Sequence, residues 1–417
     1  MKTVVEKRFR NVFFILSIIG PGLITVNAGN DAGGIATYAT VGASYGYKML
    51  WGLLIITFSL AIIQEMNARM AVVTGKGLSD LIRERFGVKW TFFAMFILFI
   101  ANFGVVLGDF AGVAASMELF GVSKYISVPI VAIAVWLLVT KGSYDKVEKV
   151  FLLFTFVFFG YIFSAFMAKP DWGVVAKSMV TPTLSLNTGF ILTFIGMIGT
   201  TITPYMQFYL QSSIVDKKLR MKDYKYEKLD VYLGSFWGNA VAFFIIVCTA
   251  ATLYKAGITI TSASEAASAL KPLAGNYAFI LFGAGLFGAS VLAASVIPLS
   301  TSYAICEAFG WESGVNCNYK EAPAFFGIYT FIIAISSLLI LIPGLSLMKL
   351  IIITQQIAGM LCPIILTFMI ILVNDKAIMN KYVNTKIQNI ISIVTVVFII
   401  ALSLILFATS LFPGIFH

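Results

Sequence analysis

The chain reads as an all-α integral membrane protein made of two inverted five-helix repeats and an eleventh helix. Three observations predict this. Apolar runs of about 20 residues, each long enough to cross a hydrocarbon core, recur along the whole length. Basic residues collect on alternate connections between those runs. Two of the runs, the first and the sixth, are interrupted by helix-weak residues. The composition agrees: of 417 residues, 59% are hydrophobic and 12% charged, and the mean hydropathy is +0.94, whereas water-soluble domains carry roughly 25% charged residues. No stretch is left over for a soluble domain, so residues 1–417 form one membrane domain.

Taken in order, the spans lie near 13–39, 48–73, 91–120, 125–140, 149–168, 188–212, 230–254, 275–308, 323–342, 346–373 and 388–412. Repeat one covers about 11–168, repeat two about 188–373, and the extra helix about 388–412. The first run resembles a leader peptide in length, but ten further spans mark it as a retained helix. With the N-terminus in the cytoplasm, 21 of the 29 Lys and Arg fall on the cytoplasmic side and seven on the other, with Arg69 inside the second span. That bias fits the positive-inside rule and predicts an inner-membrane protein with a cytoplasmic N-terminus and an external C-terminus. The formal net charge of +10 is therefore topological, and no nucleic-acid partner is implied. Cys248, Cys306, Cys317 and Cys362 show neither metal-ligand spacing nor a pair placed for an external disulfide. The longest polar stretch, roughly 214–230, reads as a loop.

The first span contains Gly20-Pro21-Gly22 and then Asn27-Ala28-Gly29-Asn30-Asp31-Ala32-Gly33-Gly34; the sixth contains Gly196, Gly199, Thr200, Thr201, Thr203 and Pro204. A proline there removes a backbone hydrogen bond and clashes with the preceding turn. Non-helical backbone at membrane depth is tolerated only where it faces protein or a water-filled cavity. Interruptions at corresponding positions of two halves are the pattern of inverted-repeat transporters, whose unwound segments coordinate ions near the midplane.

Charges at that depth cost at least about 2.5–3.5 kcal/mol each on insertion scales, so each needs a reason. Asp31 sits in the first break, beside freed carbonyls such as that of Ala28, and is the strongest ligand candidate for a hard cation; it can also cap the half-helix that follows. Asp109 lies deep in the third span, seven residues after Asn102, as a further partner or vestibule charge. Glu65 and Arg69 stand at i, i+4 and read as a structural pair. In the tenth span Gln355 and Gln356 precede Pro363, and either amide can serve as a transient ligand or as interhelical glue. Asn27, Asn30, Thr201 and Gln207 lie close enough to the breaks to line a path. The only histidine is His417, so no histidine relay crosses the membrane. The second break offers oxygen and no thioether, which favours hard ions. Catalytic constellations and nucleotide-binding signatures are missing from the sequence, so an enzyme is not expected, nor is any cofactor; the metal is the cargo.

Along its first ten spans the chain resembles the Nramp family of divalent-metal transporters. Asp31-Ala32-Gly33-Gly34 stands where the family has Asp-Pro-Gly-Asn. Gln64 through Arg69 to Val73-Thr74-Gly75 is similar to the family's second-span motif. Asp109 with Ala111, Pro204, and Gln355 eight residues before Pro363 complete the match. The resemblance implies a LeuT-type fold, alternating access, and an ion surrounded by Asp31, the Ala28 carbonyl, Gly34 in place of a ligand asparagine, the Thr200 carbonyl, residue 203 and Gln355.

The departures are as informative. Gly34 replaces the asparagine, Thr203 replaces the soft methionine ligand, and Tyr205 and Leu210 replace two histidines. Gly112 and Asn102 stand where the family has acidic residues of its third helix. This pattern resembles the Nramp-related magnesium transporters, although that branch is expected to carry alanine at position 203. The expectation is uptake of Mg2+, and Mn2+ beside it, as a largely hydrated ion without proton coupling. A proton-coupled Mn2+/Fe2+ symporter using Asp31 and Asp109 is the alternative. An amino-acid transporter on the same fold is disfavoured because Asp31 repels a substrate carboxylate.

Overall fold

The computed structural model describes residue 25 and residues 29–140, 159–315 and 317–411. Every regular element among them is a helix. Eight helical segments are long and apolar enough to cross a membrane, and Lys124–Thr140 is a shorter apolar helix. The first and fifth spans fall partly outside the described residues.

Helix α1 (Ala32–Tyr45) begins where Asp31 accepts a hydrogen bond from the Gly34 N–H at 2.7 Å, an N-cap in the extended conformation. It is followed by α2 (Leu50–Thr74), which stops at Gly75 in the left-handed conformation, where glycine carries no steric cost. Helix α3 runs from Leu78 to Glu118 but bends at Gly87, whose φ is +76°. The span expected from residue 91 thus has an amphipathic lead-in that reads as a connection by hydropathy alone, because Asp80, Arg83, Glu84 and Arg85 crowd it. Helix α4 is Lys124–Thr140, α5 is Phe159–Met167, and a short α6 (Trp172–Val180) is capped by Asp171.

The sixth span is two helices. Helix α7 (Thr188–Thr201) ends, Ile202 and Thr203 leave the helical region, and α8 (Pro204–Asp216) starts. Pro204 occupies the first turn of α8, where its missing N–H has no intrahelical partner to lose. Helix α9 is Tyr224–Thr249, extended by a wider turn over Ala250–Tyr254; it takes in the end of the stretch read as a loop. A short α10 (Ala263–Ser268) carries a capping box, and the Thr261 and Ser262 N–H groups hold the Glu265 carboxyl below its ordinary range. Then come α11 (Ala278–Phe309), α12 (Pro323–Ile340), α13 (Leu347–Asn374) and α14 (Lys386–Leu411).

Helix α3 packs on both α11 and α13, while α1 is held among α7, α9 and α13. Helices α7 and α13 approach closely. A Cβ on Gly199 would strike the Gln355 carbonyl and the Gly359 backbone, and one on Gly359 would strike the Ile195 carbonyl. Small residues of this kind let helix backbones touch in a membrane, where packing rather than hydrophobicity drives association. Helix α14 lies at the periphery, with Ile387, Ile390, Val394 and Leu404 exposed.

Glu65 and Arg69 do pair, at 3.1 Å, and the pair sits inside a wider network. Arg69 donates to the Tyr382 carbonyl and to Asn384 Oδ1, both at 2.6 Å. Glu65 accepts from the Tyr224 hydroxyl and from Gln388 Nε2. Two buried charges are thereby supplied with the extra hydrogen bonds that a buried ion pair needs, and α2 is tied to α9 and α14. The four cysteines are free.

Candidate functional site

The two breaks meet. Asp31 stands between the first unwound segment and α1, and its carboxylate is held by the Gly34 N–H. An ideal Cβ built on Gly34 would lie 2.8 Å from the Gly29 carbonyl oxygen, 3.2 Å from Thr200 Oγ1 and 3.6 Å from Asp31 Oδ1. Three oxygens from both interrupted spans therefore converge on the position that any side chain at residue 34 would fill. Gly34 itself supplies no side-chain ligand and its N–H is a donor; what its missing side chain allows is the close approach of these oxygens. That corrects its place in the expected ligand set.

Thr200 joins the site through its hydroxyl, which is buried and without a protein partner; the resemblance had implied its carbonyl. The Thr203 hydroxyl is likewise buried and unpartnered, since Thr203 precedes α8 without capping it. Gln355 lies against Gly33, where a Cβ would collide with its amide, and within reach of Asp31. Both of its amide atoms lack protein partners.

Asp109, fully buried on α3, is within Coulombic reach of Asp31 and of the Tyr205 hydroxyl. The Ala32 N–H faces it from outside hydrogen-bonding geometry, and neither carboxylate oxygen has a partner. No ion pair among the described residues involves Asp31 or Asp109. Two buried carboxylates without a cationic side chain demand positive charge from elsewhere.

Other expected residues are placed differently. Thr201 is satisfied by Tyr38 (2.8 Å) and by the Met197 carbonyl (2.7 Å), so it braces α1 against α7; adjacent helical residues point about 100° apart, and the sequence gives no way to choose between Thr200 and Thr201. Asn30 reaches the Gly238 carbonyl on α9 at 3.5 Å. Asn102 donates to Thr301 on α11 at 2.8 Å, a brace between α3 and α11. Gln356 is only partly buried and lies beside Gly196 on α7. Gln207 is buried with both amide atoms unpartnered. Asn27 and Ala28 lie outside the described residues. The Gly29 carbonyl was not singled out from the sequence; its only signal there is membership of the glycine-rich break.

Comparison with known proteins follows this geometry. A family model described as "Natural resistance-associated macrophage protein-like" (Nramp) matches residues 22–409. The "Divalent metal cation transporter MntH" of Bacillus subtilis is 25% identical over 413 residues, covering 96% of this chain and 94% of that protein. The protein of the same name from Erwinia tasmaniensis is 29% identical over 279 residues, 65% of this chain and 67% of its own. Among solved structures, the manganese transporter of Eremococcus coleocola, in complex with an aromatic bis-isothiourea compound, superposes with a TM-score of 0.73 at 19% identity over 94% of this chain and 86% of its own. Mhp1, a nucleobase-cation-symport-1 family transporter in a closed conformation, superposes at 0.52 with 12% identity over 89% and 81%. Both share the all-helical LeuT-type architecture.

Proposed function

The chain belongs to the Nramp family, and on that premise we propose that it carries a divalent metal cation across the membrane by alternating access, with Mg2+, and Mn2+ beside it, as cargo. It is a transporter and not an enzyme; the two MntH relatives are called divalent metal cation transporters and the Eremococcus coleocola neighbour a manganese transporter. Residues 11–168 and 188–373 act as the two inverted repeats, in an inner membrane with the N-terminus cytoplasmic and the C-terminus outside.

The observation that carries the Mg2+ reading is the convergence of oxygens beside Gly34. A site with Asp31, the Gly29 carbonyl, Thr200 and Thr203 hydroxyls and the Gln355 amide offers oxygen throughout, and hard cations take oxygen shells. No methionine stands at residue 203, so the thioether that would select a softer metal is missing. Mg2+ is usually held by one or two carboxylates while it keeps several waters, and Asp31 supplies one such carboxylate. An inside-negative potential contributes about 2.3 kcal/mol per charge per 100 mV, roughly 4.6 for a dication, so entry needs no coupling ion.

One observation favours a second reading. Asp109 is a buried carboxylate without partners near Asp31, which suits a proton acceptor in a Mn2+–proton symporter. Proteoliposomes holding a Mg2+-sensitive dye in one preparation and a pH-sensitive dye in another separate the two. Mg2+ influx without acidification is the expected result. Exclusion of Mg2+ together with acidification driven by Mn2+ would replace the first reading with the second.

A further inference from the structure

Below the second break, α8 carries a line of buried polar groups that the central site does not use. Gln207 and Gln211 lie one turn apart and so share one face of α8, and Thr203 immediately precedes the helix. Thr203 is 1% exposed, and Gln207 and Gln211 are 0%. The Thr203 hydroxyl, both amide atoms of Gln207 and the Gln211 Oε1 have no protein partner. Facing them on α2, Asn67 donates to the Gln207 carbonyl at 2.5 Å and leaves its own Oδ1 unpartnered. At the far end Gln211 Nε2 donates to the carbonyl of Lys76, an exposed residue in the turn after α2. At 1.5 Å per residue, the line descends about 12 Å from Thr203 to Gln211.

Amides in these positions are costly. Each unpartnered buried polar group costs about 1–3 kcal/mol, and leucine would fill the same volume without that cost. Directly beside them on the same side of α8, at i+3 and i+7 from Gln207, Leu210 and Ile214 are built that way, packing on Ala68, Ala71 and Val72 of α2 and Val231 of α9. The polar groups are confined to one stripe, and that stripe begins at the ion site and ends at a solvent-exposed turn. Separation of α8 from α2 would hydrate all of them at once.

We infer that Gln207, Gln211 and Asn67 form an exit subsite for a hydrated divalent cation, leading from Asp31 to the Lys76 end of the molecule. The inference rests on the transport reading above. The amide oxygens hydrogen-bond to the waters of the ion's shell and do not replace them, so the ion passes between α2 and α8 without being stripped. The same groups bias the cycle, because their desolvation disfavours the closed packing of α8 on α2 and water relieves it. These side chains therefore set the rate of release and leave the affinity of the central site alone.

The test uses the full chain in liposomes, with Mg2+ flux read by an internal dye and Mg2+ affinity by calorimetry in detergent. For Gln207→Leu/Gln211→Leu, flux falls at least tenfold while the dissociation constant stays within twofold and the melting temperature does not fall. Gln207→Asn/Gln211→Asn, which keeps the amides, retains flux within about threefold. If the leucine pair misfolds, Gln207→Met/Gln211→Met is read in its place. Wild-type flux in the apolar variants would overturn the inference, as would a loss of affinity equal to the loss of flux, which would make these residues part of the central site. Wild-type liposomes that pass neither Mg2+ nor Mn2+ would overturn the transport reading and this inference with it.

Discussion

The hydroxyls of Tyr38 and Thr201 meet at 2.8 Å, joining α1 to α7 beside the ion site. Thr201 has one hydroxyl proton, and it is directed at the Met197 carbonyl, so Tyr38 is the donor to Thr201. The bond braces the half-helix after the first break against the half-helix before the second.

Tyr38→Phe removes that donor and leaves Thr201 satisfied by Met197. The loss is about 0.5–1.5 kcal/mol, enough to lower the melting temperature by a few degrees. Mg2+ flux should change by no more than a few-fold, because neither hydroxyl faces the ion. Thermal melts in detergent and flux in liposomes check both statements; a complete loss of flux would place Tyr38 at the ion.

Asp31→Ala removes the carboxylate on which the two breaks converge. Uptake of Mg2+ and of Mn2+ should fall to background with the protein still folded. Retained uptake of either metal, with intact gel-filtration behaviour, would take Asp31 out of the site.

Gly34→Ala places a methyl 2.8 Å from the Gly29 carbonyl oxygen and 3.2 Å from Thr200 Oγ1, closer than a carbon sits without displacing them. We expect Mg2+ uptake to fall by about tenfold, equivalent to about 1.4 kcal/mol. Uptake assays on Gly34→Ala and Gly33→Ala distinguish crowding at the ion from general damage. The Gly33 methyl would press on Gln355 instead, and should act through that residue alone.

Thr203→Met introduces a thioether where only oxygen is offered. The ratio of Mn2+ to Mg2+ uptake should rise about tenfold, in line with the softer ligand. An unchanged ratio would show that residue 203 does not touch the ion.

Arg69→Met leaves Glu65 buried with an uncompensated charge, and the cost should be about 3–5 kcal/mol. Glu65→Gln in the same chain should restore a large part of the lost stability without altering Mg2+ affinity. Chemical or thermal unfolding of the single and double variants gives the comparison.

Much of this arrangement was legible in the sequence, for definite reasons. Glycine and proline mark the breaks because no smooth membrane helix accommodates them, and Asp31 stands out because charge at depth is expensive. The spans themselves are long apolar runs. What could not be read is direction. Thr200 and Thr201 are chemically alike, and only the packing of α1 on α7 assigns one to the ion and the other to Tyr38. Asn102 has the residue type of a pathway group, and the partner its amide N–H finds, Thr301, lies 199 residues away. The lead-in of α3 and the start of α9 are too charged to register as helix by hydropathy. The partners of Glu65 and Arg69 come from segments more than 150 residues away, beyond any local pattern.

Gly199 and Gly359 bring α7 and α13 into backbone contact with no side chain between them. Two helices seated that closely have no gear teeth to step over and no padding to compress. They turn as one plank. Because Thr200 follows Gly199 and Gln355 sits one turn before Gly359, the plank carries one side of the ion's cradle as a fixed piece. With α1 tied to α7 as well, the motion of an alternating-access cycle falls to α8, and the cargo would be released by a single wall swinging away.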